Sequence, residues 1–171
     1  VAGFFVVQSL AIKEQRNLVK NDNATIEFRI ALWREGLFLI KERPFFGHGL
    51  NTFMPVMENA LIKTKNPLAN GYSASYAHNC YLQIAVETGI FGFSAFCGIL
   101  FLLFRQVLSL GPAEFMDEPR LRFMVLGILS GLLGFLVHSF VDINFYSIQL
   151  PILFWIMAGL LISLDKQLRN K

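Results

Sequence analysis

The stretch Ala77-His78-Asn79-Cys80-Tyr81-Leu82-Gln83-Ile84-Ala85-Val86-Glu87-Thr88-Gly89 decides how the chain folds, because polar side chains gather in it just ahead of an uncharged, aromatic-rich run ending near Phe104. At helical spacing Asn79, Gln83 and Glu87 share one stripe, each step being i to i+4, and His78, Leu82 and Ala85 share the next. Glu87 is followed by about 17 residues without a charge, nearly the ~20 that cross the hydrocarbon of a bilayer. Lipid cannot solvate carboxylate, amide or imidazole groups, so this side of the helix must face protein or a water-filled cavity. A solvated helix start is the plainer reading. It suits His78 and Asn79 far better than Glu87.

Composition points the same way. The chain is 54% hydrophobic with mean hydropathy +0.51, and its 16% of charged residues is low for a soluble domain of 171 residues. The apolar residues cluster into three expected spans, about 87–104, 121–141 and 148–164. A fourth apolar piece, residues 1–10, is too short to span and is expected to be the end of a truncated transmembrane helix. The expected fold is therefore all-α, a polytopic helical membrane protein fragment whose N-terminal transmembrane half is missing. It divides into that helix end, a long external region over 11–86, and a C-terminal membrane region over 87–171. A formal charge of +3 without an Arg/Lys-rich block argues against nucleic acid as a partner. Cys80 and Cys97 fit no disulfide framework, and His48, His78 and Glu58 have no metal-ligand spacing.

Orientation follows from the short connections. Arg105, Arg120 and Arg122 lie in one, and Lys166, Arg169 and Lys171 lie in the tail, whereas 142–147 carries no Lys or Arg. The positive-inside rule puts the 105–122 loop and the C-terminus in the cytoplasm and leaves 11–86 outside. Nine of the fifteen Lys and Arg fall within 11–86, but loops this long largely escape the rule. In that region Ile26, Ile30, Trp33, Leu37 and Ile40 recur at steps of four and three, which predicts an amphipathic helix over 25–42, lying on the membrane surface or capping the bundle. Pro44 should stop it. Gly47-His48-Gly49 permits a tight turn with exposed N–H groups, either an anion nest or an ordinary turn. Residues 58–75, with Asn66-Pro67 and Asn70-Gly71, read as loop.

Arg29-x-x-x-Trp33, then Arg43-Pro44-Phe45-Phe46-Gly47-His48-Gly49, then Phe53, then His78-Asn79-x-Tyr81-Leu82-Gln83-x-x-x-Glu87-x-Gly89 stand in an order that resembles the O-antigen ligase/polymerase superfamily. His138-Ser139-Phe140-Val141-Asp142 and the span around Trp155 resemble that family's C-terminal region. The resemblance implies a multi-pass protein of the bacterial inner membrane with a large periplasmic loop, here 11–86. It further implies a glycosyltransferase that takes glycan from an undecaprenyl-diphosphate carrier, using neither metal nor cofactor. The acceptor it implies is lipid A–core for a ligase, a carrier-linked glycan for a polymerase, and a protein hydroxyl for some relatives.

Such a transfer needs a leaving diphosphate neutralised and an acceptor hydroxyl deprotonated. Guanidinium matches phosphate oxygens bidentately, which makes Arg29 the first candidate and Arg43 the second. Imidazole titrates near neutral pH, so His78 is the expected general base. Asn79 and Glu87 complete the expected substrate-binding set, with Glu87 also able to bond a neighbouring helix. Asp142 and His138 are left undecided between the site and the end of a span. A transporter or channel component, like relatives labelled inorganic-carbon transporters, and a non-catalytic fragment are the readings from other classes.

Overall fold

The computed structural model describes residues 26–65, 76–109 and 119–169. The expected helix end at 1–10, residues 66–75 of the expected 58–75 loop and part of the 105–122 connection lie outside these residues; residues 58–63 of that loop are helical instead, continuing a helix that begins at Phe53. Within them the fold is all-helical: α1 over residues 26–42, α2 Phe53–Lys63, α3 Cys80–Leu108, α4 Pro119–His138, a 3₁₀ turn Asn144–Tyr146, and α5 Gln149–Arg169. Helices α3, α4 and α5 are each long and apolar enough to cross a membrane. Their outward faces carry exposed Phe101, Phe123, Val137, Ile152 and Ile156, a surface suited to lipid and not to water. This is a membrane protein.

Helix α3 starts before the expected span at 87–104, because Asn79 caps it with its side chain, accepting from Leu82 N at 3.0 Å. Inside α3, Gly89 has φ 66° and ψ −170°, a non-helical conformation that breaks the rod. The break is sharp. Tyr81 and Phe96 rings stand 6.5 Å apart, although a straight helix would separate their Cα atoms by about 22 Å. Cys80–Thr88 thus folds back against the rest of α3.

Two apolar cores follow from this bend. Leu100, Leu103 and Val107 of α3 meet Val125, Leu129 and Leu132 of α4 and Phe154, Ala158 and Leu161 of α5. A polar latch closes one end of that bundle: buried Asp165 accepts from Gln106 Nε2 (2.7 Å) and Arg169 Nε (2.9 Å), and Arg169 Nη2 reaches Ser109 Oγ (2.7 Å). The second core joins Leu32 and Leu39 of α1, Phe53, Met57 and Leu61 of α2, and Val86 of α3. Helix α1 covers residues 26–42, but its buried stripe is Leu32, Gly36 and Leu39, rotated by about 120° from the stripe picked out by periodicity. Ile26, Ile30 and Leu37 are exposed. The helix is apolar around more than half its circumference, and the narrow side that admits Leu82 against Gly36 is the one that docks.

Candidate functional site

The bend at Gly89 frees backbone groups that a regular helix would pair with one another. The turn after α1 takes all four. His48 N donates to Val86 O (3.0 Å) and Gly49 N to Glu87 O (2.9 Å), while Ile90 N donates to Pro44 O (2.8 Å) and Phe91 N to Phe45 O (3.4 Å). The His48 and Gly49 N–H groups are therefore spent on α3 and that of Gly47 on Arg43 O, which decides for the ordinary turn over the anion nest. The two strands of backbone cross at Gly47 and Gly89. A Cβ on Gly47 would run into the Glu87 carbonyl, and one on Gly89 into the Phe45 carbonyl; both glycines also have positive φ. The two sequence motifs are thus halves of one joint.

Glu87 sits beneath this joint at 1% exposure. It accepts from Asn51 N (3.0 Å), Phe53 N (3.2 Å), Gln83 Nε2 (3.4 Å) and the Tyr146 hydroxyl (2.9 Å). Burial and the Glu87 carboxylate push the Tyr146 phenol well above its usual range, which keeps the proton on the donor. Gln83, fully buried, accepts from Ala77 N at 3.2 Å. The polar stripe of α3 therefore faces protein. Of the two residues expected to bind substrate here, Glu87 accepts these four hydrogen bonds from within the fold and Asn79 Oδ1 caps the helix at Leu82 N.

His78 stands just before α3 with φ 49°, a left-handed conformation rare outside glycine and enriched at functional sites. The flanking chain holds it there: Trp33 Nε1 donates to Ala77 O (2.7 Å), and Cys80 N donates to Ser139 O (2.9 Å). Burial and the positive field of Arg29 lower the imidazole pKa, and the Asp142 carboxylate opposes them. Arg29, His78 and Asp142 are thus electrostatic neighbours although they come from α1, the α3 entry and the α4–α5 connection. Arg29 Nε is buried with no hydrogen-bond partner among the described residues, an arrangement costly for a guanidinium unless something else supplies an acceptor.

The α4–α5 connection is itself tightly held. Asn144 Nδ2 donates to Ser139 Oγ (3.2 Å) and Phe135 O (3.3 Å), and lies 3.0 Å from His138 Nδ1. Asp142 Oδ1 accepts from Ile143 N at 2.8 Å. His138 thus belongs to the loop's scaffold. Arg43 is not part of this grouping. It follows α1 about 21 Å along the helix from Arg29 and is exposed. Sequence reasoning paired Arg29 with His78 through their motifs. It missed Tyr146, which no motif or periodicity marks.

A model of the family described as O-antigen ligase matches residues 1–97, more than half of the chain. An uncharacterised protein of Haemophilus influenzae is 32% identical over 75 residues; that match covers 44% of this chain and 18% of the relative. No solved structure matches. The match spans Arg29, the glycine joint and His78 together, and on it the chain belongs to the O-antigen ligase family.

Proposed function

We propose that the intact protein transfers or polymerises glycan from an undecaprenyl-diphosphate carrier at the outer face of the bacterial inner membrane. The observation that carries this reading is Arg29 Nε, buried and lacking a partner among the described residues, on a guanidinium whose charge, like that of Asp142, bears on the His78 imidazole. An acceptor hydroxyl attacks the anomeric carbon of the donor sugar as its proton passes to His78. The bond from that carbon to the carrier phosphate breaks, and its electron pair leaves on the diphosphate. The guanidinium of Arg29 offsets the charge that develops there. A depressed imidazole pKa keeps His78 in its neutral, proton-accepting form at neutral pH, and Asp142 stabilises the imidazolium once formed. Glu87, Asn79 and Tyr146 act as positioning residues that hold the α3 entry against the turn after α1. Whether the acceptor is lipid A–core or a carrier-linked glycan, His78 performs the same proton transfer.

This reading requires residues 26–65 and His78 on the periplasmic side and the C-terminus in the cytoplasm. The test is glycan transfer by the intact protein in liposomes. His78→Ala should lower the rate about 10²–10⁴-fold, the usual worth of a general base. Arg29→Lys keeps the charge but loses the fork and should cost about 2.7–4 kcal/mol of transition-state stabilisation. Arg34→Lys, on the exposed face of α1, is the control. Equal behaviour of the two lysine variants, or near-normal transfer by His78→Ala, would overturn the assignment.

A further inference from the structure

Between the last turn of α1 and α2 lies a cleft of about 250 Å³, which the chemistry above does not use. Its floor is apolar, formed by Phe38, Leu39, Val56 and Ala60, and its polar lining includes Glu42, Arg43, His48, Asn59 and Lys63. Phe38 is 48% exposed although its neighbour Leu39 is fully packed. The Glu42–Lys63 pair across the cleft is loose, at 3.5 Å with both side chains well exposed, so both partners are available to a ligand at little cost. His48 is fixed differently. Its Nε2 lies 3.0 Å from Leu39 O; a carbonyl can only accept, so Nε2 carries the proton and Nδ1 of the neutral ring is an acceptor.

We propose that this cleft is a glycan subsite, resting on the glycan-transfer reading and deepening it: it grips the polymer several sugar units from the reacting end. An exposed aromatic ring beside an apolar floor suits the C–H face of a pyranose. Carboxylate, guanidinium, amide and ammonium groups around it suit the hydroxyls on its edge. At about 250 Å³ the cleft lies just under the ~300–1,000 Å³ of drug-sized pockets, matching about one or two sugar rings and not a polyisoprenyl tail. Its position sets the register. Arg43 lies about 21 Å along α1 from Arg29, too far to share the reacting sugar, which accounts for an arginine of the motif standing away from His78. A chain held at both places binds as a bivalent ligand, so long glycans gain apparent affinity that short ones do not.

The experiment uses the intact protein in liposomes with two pools of the strain's own carrier-linked glycan, one bearing a single repeat and one bearing many. Phe38→Ala, Asn59→Ala and Lys63→Glu change exposed or cleft-lining side chains outside the buried core. Each should raise KM for the long pool roughly tenfold, as the loss of one modest contact does, with kcat and the single-repeat KM unchanged. Polymer made by the variants should be shorter. Unchanged KM on both pools, while His78→Ala still abolishes transfer, overturns the subsite and leaves the glycan-transfer reading standing. An equal rise in KM on both pools also overturns it, because the cleft would then act on the fold or on the reacting sugar. If His78→Ala retains transfer, the underlying reading fails instead. Folding is checked by thermal melting of each variant, and Lys63→Gln provides a second, milder probe of the same contact.

Discussion

Gly89→Ala is the most searching perturbation of this structure, because the joint between the two sequence motifs depends on a missing Cβ. An alanine at φ 66°, ψ −170° sits in a region that is essentially glycine-only and costs on the order of 1–3 kcal/mol. Its methyl would also strike the Phe45 carbonyl, and the obstruction is backbone, which cannot rotate away. Relief requires the turn to lift from α3, breaking the four hydrogen bonds at His48, Gly49, Ile90 and Phe91; at roughly 0.5–1.5 kcal/mol each these amount to about 2–6 kcal/mol. Lifting the turn also takes Asn51 N and Phe53 N from the buried Glu87 carboxylate. The expected outcome is local opening, read by hydrogen exchange of those four amides in nanodiscs and faster by about 100-fold or more. Gly98→Ala is the internal control, since a Cβ there meets nothing within 4 Å; it should be neutral or slightly stabilising. Gly47→Ala should mimic Gly89→Ala, and the double variant should be little worse than either, because both open one joint. Wild-type exchange in Gly89→Ala would refute the reasoning, as would full additivity of the pair.

Three other outcomes follow from the same geometry. Tyr146→Phe removes one donor from a buried carboxylate but keeps the ring beside Tyr76; it should cost about 1.5–3 kcal/mol, and an unchanged melting temperature in detergent counts against the Glu87 hub. In an NMR titration of isotope-labelled histidine, His78 should titrate below its ordinary 6.5. Arg29→Gln removes a positive neighbour and should raise that pKa, whereas Asp142→Asn removes a negative one and should lower it further; shifts of the same sign would dissolve the proposed grouping. Asp165→Ala leaves Gln106 and Arg169 without their carboxylate. With Arg169 38% exposed, water screens part of the loss, leaving about 1–3 kcal/mol, measurable as earlier aggregation on heating.

Much of this architecture is written into local sequence. Long charge-free runs can only be membrane helices, Pro44 ends α1 at residue 42, and Asn79 announces the start of α3 by its capping side chain. The roles proposed for Arg29 and His78 rest on residue type and motif order, which suggest phosphate binding and proton transfer. Other features needed the tertiary structure. Helix α1 is apolar over more than half its surface, so periodicity named Ile26, Ile30 and Leu37, whereas the close approach of Leu82 to Gly36 chose Leu32 and Leu39. Glu87 read as a substrate-binding carboxylate or as a bond to a neighbouring helix; the folded chain surrounds it with donors from Asn51, Phe53, Gln83 and Tyr146. Gly47 read as part of a tight turn and Gly89 as the end of a motif; only the folded chain makes their backbones cross. Asp142, 64 residues from His78, bears on it only after the bent α3 and then α4 have folded. The physical reason is common to all four: helix period and capping are short-range properties of consecutive residues, whereas which face docks, which carboxylate is satisfied and which charges meet depend on segments that become neighbours only after the chain has folded.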